Sequence, residues 1–300
     1  MGYIARKLGI SLQNRRAPGR NKEAMTEHTV WARRAAVGLL LGGLVLGASV
    51  PALAEDVKAG AWKSLFDGRT LEGWTPKVAK HPAGENYHQT FVADHGAIRV
   101  SYAGYDKLDG QFGHLFYKTP FKAYRLRLSY RFLTEGGLAD TPTWARSNSG
   151  IMFASQSPES MTVEQSFPVS VEFQLLGKDG DAPRPTGAVC TPGITITIDG
   201  AKVKEHCTPS ANAPTIPNGT WVKAELEVRP NGEVFQKING VVVHHYAGMT
   251  LDPDDTVAGG AKPYILARGA VPVTEGYIAL QSEGHPIEFK DIEIQELTAR

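Results

Sequence analysis

Two stretches of the chain place polar side chains in rows that could do chemistry. In Val169-Ser170-Val171-Glu172-Phe173-Gln174-Leu175 the alternation sets Ser170, Glu172 and Gln174 on one strand face and Val171, Phe173 and Leu175 on the other. In Asn148-Ser149-Gly150-Ile151-Met152-Phe153, Asn148, Gly150 and Met152 share a face. In Ala279-Leu280-Gln281-Ser282-Glu283, Ala279, Gln281 and Glu283 do. Brought together on one sheet, these rows would form a polar concave surface carrying Asn148, Glu172, Gln174, Gln281 and Glu283. Carboxylates and carboxamides are the groups that hold hydroxyls and move protons. An ordinary solvated sheet face shows the same alternation, so the pattern alone leaves both readings open.

The elements that must position these rows are strands. Phe91–Val100, Gly113–Thr119, Tyr124–Leu133, Gly150–Ala154, Val169–Leu176, Ile194–Ile198, Trp221–Arg229, Val234–Ile238, Val241–Tyr246, Tyr277–Gln281 and Ile287–Gln295 are short and rich in β-branched or aromatic residues. Gly, Pro and Asn/Asp-Gly breakers separate them, including Asn231-Gly232 and Asn239-Gly240. No helical period is sustained after Ala54, and no Gly-rich phosphate loop follows a strand, which removes dinucleotide-binding and P-loop readings. The pattern predicts one all-β domain over 55–300, a sandwich or jelly roll of antiparallel sheets. Longer loops at 76–90, 134–147, 155–168 and 247–275 are where a site would be decorated.

The N-terminus reads as an address. Eight Lys/Arg within residues 1–34 precede the apolar run Ala35–Val50, and Pro51-Ala52-Leu53-Ala54 supplies a small-residue exit. This is the pattern of a secretory signal peptide cleaved after Ala54, leaving no stable membrane anchor and a periplasmic or secreted protein. Arg33-Arg34 hints at twin-arginine export, and Met25 is an alternative start. Residues 55–300 carry 24 basic and 29 acidic side chains, a mildly acidic balance that offers no footprint for nucleic acid.

Export makes the two cysteines interpretable. Cys190 and Cys207 flank an Ile/Thr run that ends in Asp199-Gly200, a hairpin signal. In an oxidising compartment a disulfide is expected, worth about 3 kcal/mol on the chain-entropy model. A metal site built from Cys190, His206 and Cys207 is the competing reading. Neighbouring His and Cys do not readily face one ion, and no C-x-x-C supports them.

At this point the chain resembles a known family. Ser64-Leu65-Phe66-Asp67-Gly68-Arg69-Thr70-Leu71-Glu72-Gly73-Trp74 is similar to the opening signature of the 3-keto-disaccharide hydrolase domain family. The likeness runs through Asn148-Ser149-Gly150-Ile151, Val171-Glu172-Phe173-Gln174, Thr186-Gly187-Ala188, Trp221-Val222, Asn239-Gly240 and Gly276-Tyr277-Ile278-Ala279-Leu280-Gln281. It ends in Pro286-Ile287-Glu288-Phe289-Lys290-Asp291-Ile292, where relatives usually have Arg at the Lys290 position, and covers about 62–297. The segments around His114 and His285 resemble a subgroup that also carries the Cys190/Cys207 pair.

The resemblance implies a concanavalin A-like jelly roll and an exported enzyme acting on glycosides whose ring bears a ketone at C3. That ketone acidifies the C2 proton, so a base can remove it, the C1 substituent is eliminated, and water adds back. Such chemistry asks for a base, donors to the enolate and an acid for the leaving oxygen. It requires no nicotinamide, and a divalent cation stays an open question. Laminarinase-like glycosidases carry Glu-x-Asp-x-x-Glu on one strand, whereas here the strand reads Glu172-Phe173-Gln174-Leu175-Leu176-Gly177. The two-carboxylate arrangement of a retaining hydrolase is missing there.

On this resemblance Glu172 is the expected base or a metal or substrate ligand, with Gln174 beside it for a hydroxyl or the enolate. Asn148, Gln281, Arg146 and Arg184 are expected sugar contacts, and Trp144 is expected to stack on a ring face. His114 and His285 are expected proton-transfer groups. Glu283 would orient His285 or serve as the acid. Trp62, Trp74 and Trp221 are expected in the core. A lectin would keep the polar row without a residue of shifted pKa, and is the alternative from a different function class.

Overall fold

The computed structural model describes residues 57–300 apart from 211 and 259, so the signal peptide expected within 1–54 lies outside the described residues. Two antiparallel sheets face each other. One runs in the order β12 (Cys207–Thr208), β9 (Val189–Cys190), β8 (Val171–Leu176), β7 (Asn148–Ser155), β16 (Tyr277–Ser282), β5 (Gly113–Tyr117) and β2 (Trp74–Val78). The other runs β11 (Ala201–Lys202), β10 (Ile194–Ile198), β15 (Val241–Leu251), β14 (Val234–Ile238), β13 (Val222–Val228), β6 (Tyr124–Phe132), β17 (Ile287–Ala299), β4 (Ala97–Val100) and β3 (Phe91–Asp94). β1 (Val57–Ser64) also pairs with β17. This is the jelly-roll sandwich expected from the strand pattern. Among the described residues the one α-helix, α1, is the short Lys262–Leu266 segment, and no helix is long and apolar enough to cross a membrane.

Alternation decides what each sheet face does. On β6, Tyr124, Leu126, Leu128, Tyr130 and Phe132 point into the core, and Arg125, Arg127 and Arg131 point out. The outward arginines sit opposite Glu227, Glu293 and Glu288 in register, with N···O distances of 3.1, 2.8 and 2.8 Å. On β8, Val171, Phe173 and Leu175 are fully buried between the sheets. The Asn239-Gly240 and Asp199-Gly200 hairpins have both central residues at positive φ, which Asn, Asp and Gly accept at little cost.

Several expectations need correction. The predicted strand Phe91–Val100 is two strands, β3 and β4, folded back at His95-Gly96, both at positive φ. β1, β2, β9, β11 and β12 carry too few alternating apolar residues to have been read, and β2 and β15 extend into the stretches expected as loops at 76–90 and 247–275. Trp74 is buried with its indole N–H donating to Leu65 O at 2.8 Å. Trp62 and Trp221 instead lie on the outer face of the larger sheet. Arg127 covers Trp62 at 4.0 Å, and Arg131 covers Trp221 at 4.6 Å with Lys290 at 4.4 Å.

Candidate active site

The outward face of the seven-stranded sheet carries the polar rows. Cross-strand register lines up Cys207, Cys190, Glu172, Met152, Ala279 and Phe116. The neighbouring row brings Gln174 opposite Gly150, and Gln281 opposite His114, which faces Lys77. This face is half covered. Met161 packs on Phe116, Met152 and Ala279, forming a small apolar cluster apart from the main core. Buried Lys77 pins the covering segment by donating to Val163 O at 3.0 Å.

The uncovered half is a cavity of about 380 Å³ into which Glu172, Glu283, Asn148 and Gln174 project, with Trp144 and Phe167 among its walls. Glu172 has room because residue 150 is glycine: a Cβ there would lie 2.5 Å from Glu172 Oε1 and 2.6 Å from its Cγ. The side chain of Glu172 therefore lies against bare backbone. Glu283 sits just past the end of β16, and the turn behind it is held by three bonds. Gly284 N donates to Tyr102 Oη at 2.6 Å, while Thr141 Oγ1 and Leu138 N donate to Gly284 O at 3.1 and 3.0 Å. Gly284 has φ +94° and a Cβ would meet Thr141 Oγ1 at 2.5 Å, so only glycine fits.

Both carboxyl groups are buried, and Glu172 Oε1 and Glu283 Oε2 have no hydrogen-bond partner among the described residues. Burial pushes the pKa of Glu172 up to about 8. Burial raises that of Glu283 well above the carboxylate range, the neighbouring Glu172 charge adds to it, and Arg184 opposes it. Two like acids in one pocket ionise one after the other, so the pair holds a proton where isolated carboxylates would not. Asn148 Nδ2 donates to Trp144 O at 3.1 Å, and its Oδ1 is buried without a partner among the described residues. Trp144 is 53% exposed at the rim and stands 5.5 Å from Phe112, which stacks on Phe167 at 5.2 Å. Trp144 and Phe167 line the cavity, and Phe112 packs against both.

The other expected residues divide. His114 is fully buried beneath Phe167, 6.1 Å from it edge to face, and burial lowers its pKa to about 3, with Lys77 contributing. It stays neutral at physiological pH and does not line the cavity, so the structure does not bring it to the carboxyl pair as the proton-transfer group expected of it. Gln281 beside it is fully buried, and none of the side-chain polar atoms of His114 and Gln281 has a partner among the described residues. Arg184 does not reach into the cavity. Its guanidinium donates to Ser147 O, Gly177 O and Trp144 O at 2.9, 3.0 and 3.1 Å, clamping the backbone that presents Trp144 and Asn148. Arg146 and His285 open onto a different pocket, and His285 Nε2 is 2.8 Å from Leu133 O. Glu283 and His285 thus face apart, so Glu283 does not orient His285.

The cysteines are joined. Cys190 and Cys207 pair in register across β9 and β12 and form a disulfide. The hairpin between them, β10–β11, belongs to the other sheet, so the bridge ties β9 to β12 rather than closing the hairpin itself. His206 does lie near the sulfurs, with donor atoms within 4.8 Å of one another. Both sulfurs are spent on the bridge, which removes the thiolates a metal would need. Sequence reasoning missed Phe167 as a wall residue and Lys77 as the anchor of the covering segment. Phe167 carried no signal in the sequence.

No curated protein matches the sequence significantly. Among solved structures, the chain is similar to a Parabacteroides distasonis protein proposed to be a glycosyl hydrolase, at 16% identity and TM-score 0.47, covering 78% of this chain and 93% of that one. It is also similar to a carbohydrate-binding module from Bacillus subtilis, at 9% identity and TM-score 0.38, covering 74% and 94% respectively. The 3-keto-alpha-glucoside-1,2-lyase-like domain model matches residues 61–295, and the chain belongs to that carbohydrate-related family.

Proposed function

We propose that this protein is an exported carbohydrate-active enzyme that cleaves 3-keto-glycosides by elimination and hydration. The observation that carries the reading is the pair of buried carboxyls, Glu172 and Glu283, in one cavity with their pKa values raised. A base poised near neutrality beside an acid that keeps its proton is what C2 deprotonation and C1 departure require. Ionised Glu172 takes the C2 proton, and the C2–H electron pair passes into an enolate with the C3 ketone. The enolate then reforms the ketone as a C1=C2 double bond is made and the C1–O bond breaks. Glu283 gives its proton to the departing oxygen. Water adding at C1, with a proton returned to C2, completes a net hydrolysis. Asn148 and the Gln174 amide line the same cavity for the ring hydroxyls, and Trp144 offers a ring face.

The test is product analysis by mass spectrometry and NMR with 3-keto and unoxidised forms of the same glycosides, with and without chelator. Cleavage of the 3-keto form alone, lost in Glu172→Gln, supports the reading. Equal cleavage of both forms overturns it. Saturable binding without cleavage makes the protein a lectin for those sugars. Activity lost to chelator and restored by a divalent cation would add a metal to the scheme.

A further inference from the structure

The row of the outward face that runs through Gln281 and His114 holds four polar atoms with nothing to bond. His114 Nδ1 and Nε2 and Gln281 Oε1 and Nε2 are buried and have no partner among the described residues. Burying such groups unpaired is costly, and folded proteins rarely leave them so. The glutamines of the covering segment show the contrast. Gln165 Nε2 donates to Gln156 Oε1 at 2.9 Å and to Phe167 O at 2.8 Å. Gln156 Oε1 also accepts from Val169 N at 2.8 Å, and its Nε2 donates to Ser160 Oγ at 3.0 Å. Lys77, which faces His114, is likewise committed, donating to Val78 O and Val163 O at 2.9 and 3.0 Å.

The unpaired groups lie beside the two carboxyls and on the same face. Gln281 precedes Glu283 by two residues, so both side chains leave one side of the sheet with their Cα atoms about 7 Å apart. β7 and β16 pair Leu280 with Ile151, and one step further along that ladder Gln281 comes level with Gly150, the bare position on which Glu172 lies. Neighbouring strands are about 4.8 Å apart, which sets the Gln281 amide next to the Glu172 carboxyl. What separates the row from the cavity is Phe167. Its half-buried ring lines the cavity and also stands edge-on to His114 at 6.1 Å. The covering segment is held through the Phe167 carbonyl and the two glutamines, so the ring can turn about χ1 with the segment in place.

We propose that Gln281 and His114 are the oxyanion site of this reaction: with the Phe167 ring turned aside, the Gln281 amide and the His114 ring N–H donate to the C3 oxygen of the oxidised ring. The inference rests on the reading above for the reaction, which needs donors to the enolate that Glu172 and Glu283 do not supply. As Glu172 takes the C2 proton, negative charge moves onto the C3 oxygen, and both donors keep their protons throughout. His114 suits the task because burial beside Lys77 keeps its ring neutral, with one N–H to give. The charge on the C3 oxygen grows only after the substrate is bound, so the pair acts on the rate more than on binding.

Turnover of a methyl 3-keto-glucoside is compared in the wild type, Gln281→Met and His114→Leu, substitutions that nearly keep the volume and remove the hydrogen bonds. In each variant kcat should fall about 100-fold or more while KM changes less than about threefold. His114→Asn, which keeps an N–H, should recover about tenfold over His114→Leu. Because an unpaired polar group gives way to an apolar one, Tm should hold or rise in Gln281→Met and His114→Leu, which separates the loss from misfolding. The contact itself is read by infrared spectroscopy in the Glu172→Gln background, where nothing turns over. The C3 carbonyl band of the bound sugar should lie below its position in water and move back towards it in Glu172→Gln/Gln281→Met. Unchanged kcat in both single variants, or a bound carbonyl band indifferent to Gln281→Met, overturns the oxyanion site without touching the reaction assignment. If the band responds to Gln281→Met yet the wild-type chain cleaves no 3-keto-glycoside, the donor contact stands and the reaction assignment falls.

Discussion

Glu172 should cost the protein stability, and the cost should depend on pH. Burial pushes its carboxyl up to about 8 in the folded protein, from the ordinary 4.5 of an exposed glutamate. The folded state therefore holds a proton that the unfolded chain gives up. Stability from this group is full below about 4.5 and is lost as pH climbs through 8. At about 1.4 kcal/mol for each tenfold change in proton activity, the ceiling is about 5 kcal/mol. A Gln in its place is always neutral but still buries an amide with few partners, so a gain of roughly 1–3 kcal/mol at pH 8 is expected for Glu172→Gln. In a domain of this size that is about 3–10 °C in Tm. The assay is thermal unfolding by fluorescence or calorimetry at half-unit steps from pH 4.5 to 8.5. The wild type should lose Tm across this range faster than the variant, with the curves meeting at the acid end. Glu283 stays in both proteins and keeps part of the slope. Parallel curves would refute the argument, since they would mean Glu172 does not carry a proton into the folded state.

Three further outcomes follow from the same geometry. The kcat/KM for a 3-keto-glycoside should rise with pH toward about 8 as Glu172 ionises; a flat profile over that range would remove Glu172 as the base. Gly150→Ala places a methyl 2.5 Å from Glu172 Oε1, so kcat should fall about 10–100-fold while KM changes little, and an unchanged kcat would show that the carboxylate can work elsewhere. Replacing both cysteines by Ser should lower stability by about 3 kcal/mol in denaturant unfolding, with no dependence on added zinc.

The strand rows show how far one-dimensional reading reaches. Glu172 and Gln174 face away from the core because every second residue of β8 is apolar, and alternation needs no knowledge of neighbours. The Asn-Gly and Asp-Gly turns were legible for the same local reason. β9 and β12 were not: strands of two residues have no period, and they exist because a cross-link and a register partner hold them. Trp62 and Trp221 misled because size and apolarity suggest a core, whereas a neighbouring arginine face stabilises an indole at the surface just as well.

By itself, then, the sequence determined the sandwich, the residues on its polar face, the cysteine pair and the family. Only the tertiary structure decided which polar residues meet. It brought Glu172 and Glu283 into one cavity, sent Arg146 and His285 to another, spent Arg184 on backbone carbonyls and sealed His114 under Phe167. The physical reason is range. Alternation and turn chemistry act between residues a few positions apart, while a pKa raised by burial depends on groups more than a hundred residues away along the chain, assembled only when the sheets close.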